Sequence, residues 1–362
     1  MSADYPIPYP RRVVRRRLIR AVGRLLLRLF SEPVISGLEN LPERGPFVLV
    51  GNHVEMLEAA MMGLYIPFPI EIIGVGDIPL DARYARIINA YGYLPINRGN
   101  LDRQGLMATL GVLKQGGVVG LFPEGGIWQD GHKQARTGVA WLSQMAQAPI
   151  VPVGFGGMKG ALGKLMRFEH PRLTMTVGQP LPPVIRGANR KAALEEAANR
   201  VMAEVYALVP ERDHWRYEPS AQERFDFDVT MTRPDGSTQT WYDDFTPEER
   251  SALGKLFHRP IFLDALGRNC KLPVGALEAY ATTHDPARIA DAVSAILDYL
   301  ETTNPQFFNY RLGYAEGGAL ADGLRRLNEL GRRAAEAGAQ MTLTPQRTVE
   351  TDDRHPRGPD AG

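Results

Sequence analysis

The sequence predicts an α/β fold, a mixed sheet flanked by helices, with a basic amphipathic helix before it and a small α-rich domain after it. Three observations carry that expectation. Strand-like runs at 47–51, 71–75, 118–122, 150–155 and 172–177 alternate with helical segments near 58–65, 101–115 and 137–147, and such alternation builds sheets with helices packed on them. With 362 residues and 44% hydrophobic content, the chain has apolar material for one large core or two. A segment rich in Ala and Glu, from about 188 to 209 and stopped by Pro210, suits a long helix that closes the domain.

In chain order, the first element is the basic segment, residues 1–34. Between Arg11 and Arg28 there are eight arginines, and the only acid before residue 31 is Asp4, so the first thirty residues carry a formal +7 in a chain whose net charge is +1. Val14, Leu18, Val22, Leu25 and Leu29 recur at helical spacing, and Arg12, Arg16, Arg20, Arg24 and Arg28 form an opposing stripe. The expected role is an interfacial helix lying on anionic lipid. A mitochondrial presequence, a nucleic-acid arm and a helix packed on its own domain compete with it. Pro6, Pro8 and Pro10 and the scarcity of serine speak against a presequence. Basic patches interleaved with aromatics, which nucleic-acid binding would favour, are not evident, so no nucleic-acid partner is expected.

The next element, a strand at 46–50, ends at Gly51-Asn52 and delivers His53 to the sheet edge, where α/β proteins place their sites. A neutral imidazole takes a proton from an attacking hydroxyl near pH 7 if a second group holds its other nitrogen. With a helix beginning near Val54, Glu58 lies about one turn on and can supply that carboxylate. An ordinary histidine and a solvated glutamate at a helix start would read the same way. No Gly-x-Ser-x-Gly nucleophile occurs, and the only cysteine is Cys270. The attacking hydroxyl is therefore expected from the substrate. His53 and Glu55 form a His-x-Glu pair without a Pro-Cys-x-x-Cys partner, and no Gly-x4-Gly-Lys-Ser/Thr loop is present, so no metal or nucleotide cofactor is expected.

Three further blocks follow: Gly92-Tyr93-Leu94-Pro95-Ile96-Asn97-Arg98-Gly99, Leu121-Phe122-Pro123-Glu124-Gly125-Gly126, and Pro149-Ile150-Val151-Pro152-Val153-Gly154. Together with Asn52-His53-x4-Glu58 they resemble, in order and spacing, the glycerolipid acyltransferases of the 1-acylglycerol-3-phosphate acyltransferase type, over about residues 35–185. The resemblance implies that His53 is the catalytic base and that Glu58 stands at the position of the family's Asp. It implies that Arg98, Glu124 and Gly125 serve the glycerol phosphate acceptor, with Pro152 on the acyl side. Arg136, in Ala135-Arg136-Thr137-Gly138, retains a cation where the family often has a Phe-Lys-x-Gly segment.

Each residue type has a physical reason. Arginine clamps a phosphate bidentately, although a lone Arg before Gly99 also fits an ordinary surface. Glu124 repels phosphate, so it would accept from an acceptor hydroxyl or orient an arginine. Gly125-Gly126 allows close backbone approach to an anion. Gly126-Ile127-Trp128 replaces the family's Thr-Arg-Ser, removing a cation and two hydroxyls, and Trp128 favours a less charged head group or an acyl chain.

The acyltransferase-type domain is expected over 35–212. Residues 213–343 lie outside the resemblance. They show a hairpin at 224–241 around Pro234-Asp235-Gly236-Ser237, a capping box at Thr246-Pro247-Glu248-Glu249, and a helix opened by Asp285-Pro286. Residues 344–362 are expected to form a disordered tail. The longest apolar stretch, Ala59 to Gly76, is broken by Pro67, Pro69 and Glu71, so no spanning helix is expected. No signal peptide is read, and one cysteine permits no internal disulfide. The overall expectation is a peripheral enzyme on the cytoplasmic face of a membrane. It would move a fatty acyl group from acyl-CoA or acyl carrier protein to a lysolipid hydroxyl. A different lipid acceptor, or a non-catalytic lipid-binding protein on the same fold, are the alternatives.

Overall fold

The computed structural model describes residues 7–76, 82–96, 102–124, 136–185, 189–216, 221–258, 266, 270, 283–303 and 314–351. Its larger sheet has seven strands: β1 Glu32–Ser36, β2 Phe47–Gly51, β3 Ile70–Val75, β4 Leu94–Ile96, β5 Val118–Leu121, β6 Ile150–Gly156 and β7 Arg172–Val177. They lie in the order β1-β7-β6-β2-β5-β3-β4. Only β6 and β7 pair antiparallel; the other neighbours are parallel. The sheet is therefore mixed, as the sequence predicted, with β1 and β4 added to the expected strands.

Side chains alternate across a strand, and both faces of this sheet are covered. Phe47 and Leu49 join one core and Val48 and Val50 the other. The first core contacts α1 Val13–Phe30, α2 Leu57–Tyr65, α3 Ala82–Tyr91 and α6 Ala161–Met166. The second contacts α4 Arg103–Lys114, α5 Gly138–Ala146 and α7 Arg190–Ala207. Helix starts follow side-chain chemistry: Asp102 accepts from the Gly105 N–H at 2.8 Å and Asn189 from that of Ala192 at 3.3 Å.

Four of the five arginines of the α1 stripe, Arg12, Arg16, Arg20 and Arg24, bond to the protein, the arrangement of a helix packed on its own domain, while Arg28 is exposed. Arg12 and Arg16 donate to carbonyls at the C-terminal end of α3: Arg12 to Asn89 and Ala90, Arg16 to Tyr91 and Gly92. Arg20 donates to Leu64 and Ile66 and Arg24 to Leu64, at the end of α2. The last carbonyls of a helix have no partner within it and sit at its negative end, so guanidinium groups are matched to them twice over. Arg16 also reaches Glu71 on β3 through two bonds of 2.8 Å, and Arg11 donates to the same carboxylate. Arg16 lies over the Tyr91 ring, and burial pushes the Tyr91 phenol up. The apolar stripe then points outward: Val14, Leu18, Val22, Leu25 and Leu29 are all exposed.

The C-terminal part has its own core. Strands β8 Ala221–Thr232, β9 Thr238–Thr240 and β10 Gln340–Thr351 form an antiparallel sheet in the order β10-β8-β9. It packs with α8 Pro247–Phe257, α9 Pro286–Asp298 and α10 Tyr314–Glu336. The capping box at Thr246 and Glu249 and the Asp285 cap form as expected. The expectation of disorder from residue 344 is corrected through Thr351. Twelve residues of β10 pair with β8, because Met341 and Leu343 bury one face while Thr342 and Thr344 occupy the other. The remainder of that tail lies outside the described residues.

Two expected domain boundaries also shift. The one at 34/35 falls inside β1. The one at 212/213 falls within a tight helical turn, Glu211–Arg216, whose Asp213 accepts from the Gly157 N–H at 2.9 Å.

Candidate active site

The site is built where β2 leaves the sheet. Val50 pairs with Leu121 of β5 and Pro152 of β6, and Gly51 with Val153. Gly51 is required by its neighbours, since a β-carbon there would meet the Phe155 ring at 2.6 Å and the Phe122 ring at 3.1 Å. Asn52 then replaces main-chain pairing with its side chain: its Nδ2 donates to Phe155 O at 3.0 Å, and its Oδ1 accepts from Phe155 N at 2.8 Å. Both bonds are buried, so the amide satisfies the donor and acceptor of Phe155 while the chain turns away. His53 is thereby presented at the carboxyl end of the central strands.

Three carboxylate oxygens hold the turn that follows. Glu124 accepts from the His53 N–H at 3.1 Å through Oε1. Glu58 Oε1 accepts from Val54 N at 2.7 Å and from Glu55 N at 2.9 Å. Glu58 Oε2 accepts from Glu55 N at 3.2 Å and faces His53 Nδ1 at 3.6 Å. The helix begins at Leu57, three residues later than the sequence reading placed it, so Glu58 lies in its first turn. There a carboxylate is favoured by the helix dipole as well as by the loop amides. Glu58 is fully buried, and those bonds offset the cost of burying its charge.

A separation of 3.6 Å is ion-pair distance, longer than a hydrogen bond. His53 Nδ1 is buried and has no hydrogen-bond partner, so Glu58 is the acceptor aimed at it. The His53 side chain is 20% exposed; solvent reaches the rest of the ring and not Nδ1. Phe122 stacks on the imidazole with centroids 4.4 Å apart and planes inclined by 19°. The ring is thus fixed by a carboxylate at one nitrogen and an aromatic face beneath it. This arrangement can hold one tautomer and leave Nε2 to exchange a proton.

The expected site residues divide into three groups. His53, Glu58 and Glu124 are brought together, and Glu124 spends one oxygen on the backbone of His53. Arg136 is exposed and joins the third block through its main chain, its N–H donating to Pro123 O at 3.0 Å. Pro152 is buried within β6, opposite Val50, and its carbonyl accepts from Gly178 N at 2.8 Å. Arg98 and Gly125, with Gly126-Ile127-Trp128, lie outside the described residues. Asn52 and Phe122 carry structural duties that the sequence reading gave to neither. The Gly-Asn pair at a strand end was the available signal for Asn52; no local signal marks the ring on which His53 stacks.

Among the described residues no group of three or more His, Cys, Asp or Glu side chains could hold a metal ion. No helix among them is long and apolar enough to cross a membrane.

Comparison with known proteins adds three findings. Residues 32–156 match the family model described as Acyltransferase. The 1-acyl-sn-glycerol-3-phosphate acyltransferase of Bacillus subtilis (strain 168) is 25% identical over 187 residues, which cover 50% of this chain and 92% of that protein. The crystal structure of the 1-acyl-sn-glycerophosphate (LPA) acyltransferase PlsC from Thermotoga maritima aligns with a TM-score of 0.41 at 19% identity, over 56% of this chain and 85% of that one.

Proposed function

Because this chain belongs to the acyltransferases of the 1-acylglycerol-3-phosphate acyltransferase type, we propose that it acylates the free hydroxyl of a lysophospholipid such as 1-acylglycerol-3-phosphate. The donor is an acyl thioester, acyl-CoA or acyl carrier protein, and His53 is the general base. The observation that carries this reading is the aim of Glu58 Oε2 at the buried, otherwise unpartnered Nδ1 of His53, at 3.6 Å.

His53 Nε2 takes the proton as the hydroxyl oxygen attacks the thioester carbonyl. The tetrahedral intermediate collapses, the C–S bond breaks, and the thiolate leaves with the proton returned from the imidazolium. Glu58 stabilises the imidazolium while it exists, and catalytic bonds of this kind shorten when substrate binds. The acceptor side is assigned to Arg98, Glu124, Gly125 and Arg136 on the family resemblance. Labelled acyl-CoA supplied with a panel of lysolipids on liposomes tests the reading. Diacyl product with one free CoA thiol per acyl group is expected, and no turnover of any lysolipid would reject it.

Substituting Glu58 with Gln leaves a neutral group of the same size facing His53. A fall in kcat on the order of 10²-fold is expected, with little change in KM. Unchanged kcat would remove Glu58 from the mechanism.

The same reading makes the protein peripheral to the cytoplasmic face of a membrane, attached by the outward face of α1 and not by its inward arginines. Support comes from the exposure of Leu18, Leu25 and Leu29, next to exposed Arg15, Arg17 and Arg28. An apolar stripe flanked by cations suits an anionic bilayer surface. Changing Leu18, Leu25 and Leu29 together to Ser should weaken vesicle binding by about 10²-fold, taking roughly 1 kcal/mol for each partly inserted leucine. The melting temperature should hold, because none of the three is buried. Sedimentation with vesicles equal to wild type would count against α1 as the attachment face.

A further inference from the structure

The connection from β6 to β7 exposes apolar side chains that the catalytic reading does not use. Within it, α6 turns Leu162 and Leu165 onto the core, while Met166 is 72% exposed and Phe168 is 67% exposed. Phe168 is the first residue after the helix cap at Arg167, and it has φ 60. Its N–H donates to Leu165 O at 3.1 Å, and that of Glu169 to Lys164 O at 3.0 Å. Helix ends normally place glycine at this left-handed position, because a β-carbon is disfavoured there. The chain instead holds a phenyl ring in the open at a strained position, which its packing within the fold does not account for.

Two contacts say what lies around that ring. Phe168 meets Phe30, the last residue of α1, with ring centroids 5.5 Å apart, so the turn is continuous with the outward stripe of α1. The cations nearest this joint surface in the chain are Lys164 on α6 and Arg28 on α1, neither with an ion-pair partner among the described residues, and Arg167, which pairs with Glu169. In addition, Gly160 N donates to Glu55 Oε1 at 3.2 Å, which ties the start of α6 to the loop carrying His53.

We propose that the α6 turn is a second membrane-inserting element: Met166 and Phe168 enter an anionic bilayer beside α1 and hold the His53 loop at its surface. Apolar side chains flanked by cations match the acyl region and charged head groups of such a bilayer. A lysolipid can then present its hydroxyl to His53 without leaving the membrane. The proposal rests on α1 as the attachment face, and it adds a contact point that α1 alone does not require.

Single cysteines introduced as Leu25→Cys, Phe168→Cys and Glu196→Cys, each carrying a polarity-sensitive fluorophore, test it. The native Cys270 is half-buried, and burial pushes its thiol up to about 11, so it competes poorly for label. On vesicles of phosphatidylcholine and phosphatidylglycerol, a blue shift is expected at positions 25 and 168 and none at 196, on the exposed side of α7. A shift at 25 without one at 168 overturns the second contact and leaves the α1 reading standing. No shift at either overturns both.

The variant Phe168→Gly supplies a readout that a purely structural role would not give. It should melt no lower than wild type and lose several-fold activity on vesicle-embedded lysolipid. Its activity on short-chain, monomeric lysolipid should be retained. Wild-type activity on vesicles, or a lowered melting temperature with equal losses on both substrates, would overturn the proposal.

Discussion

Replacing His53 with alanine is expected to lower kcat for acyl transfer by about 10²- to 10⁴-fold, the range a positioned general base contributes, with little change in KM. The expectation follows from the site's construction. Asn52, Glu124, Glu58 and Phe122 all act on the position of this one residue. The loop is held by bonds to the backbone of residues 53 to 55 and by the Asn52 side chain. Truncating the imidazole therefore leaves the fold intact, and an unchanged melting curve should accompany the lost turnover. Steady-state transfer from labelled acyl-CoA measures it. Turnover equal to wild type would assign the proton transfer to another group.

The second large effect concerns stability. Glu71→Ala is expected to destabilise the protein by about 3–5 kcal/mol, the cost of leaving a buried charge without its partner. Glu71 is fully buried and receives both Arg16 and Arg11. Arg16 is buried too, so its guanidinium cannot turn to water when the carboxylate is removed. In a domain of this size the melting temperature should drop by roughly 10 °C. The double variant Arg16→Met with Glu71→Leu should recover most of the loss, since it leaves no buried charge unpaired, and Arg11, whose side chain is 21% exposed, can reach water. A single variant as stable as wild type would show that Arg16 finds enough compensation in the carbonyls of Tyr91 and Gly92.

The α1 arginines show how far a periodic pattern can be read. The 3.6-residue period correctly gave a helix with two opposed faces, because period follows from backbone geometry alone. Which face turns inward does not follow from it. Apolar faces usually turn in, and arginines usually face water or phosphate. Here the ends of α2 and α3 and the Glu71 carboxylate supply eight acceptor atoms for Arg12, Arg16, Arg20 and Arg24, and those acceptors lie 40 to 78 residues away in the chain. Nothing in the local sequence announces them.

Strand β10 shows the same limit at the other end. Residues 344–351 are polar by composition and read as the start of a tail, but pairing with β8 consumes their backbone donors and acceptors. The partner stands more than a hundred residues earlier, so composition alone could not reveal it.

For the candidate site, the sequence by itself determined which residue types stand together: a histidine after a strand end, a carboxylate one helical turn on, and three blocks in order downstream. Those features are local, and local spacing fixes which side chains share an edge or a helix turn. Tertiary structure decided the rest. It aimed Glu58 Oε2 at Nδ1, set Phe122 under the imidazole, turned Glu124 onto the His53 backbone and faced Leu18, Leu25 and Leu29 of α1 outward. The physical reason is common to all four. Orientation is set by which acceptors, rings and charges the fold brings from distant strands and helices, and a single stretch of chain does not carry that information.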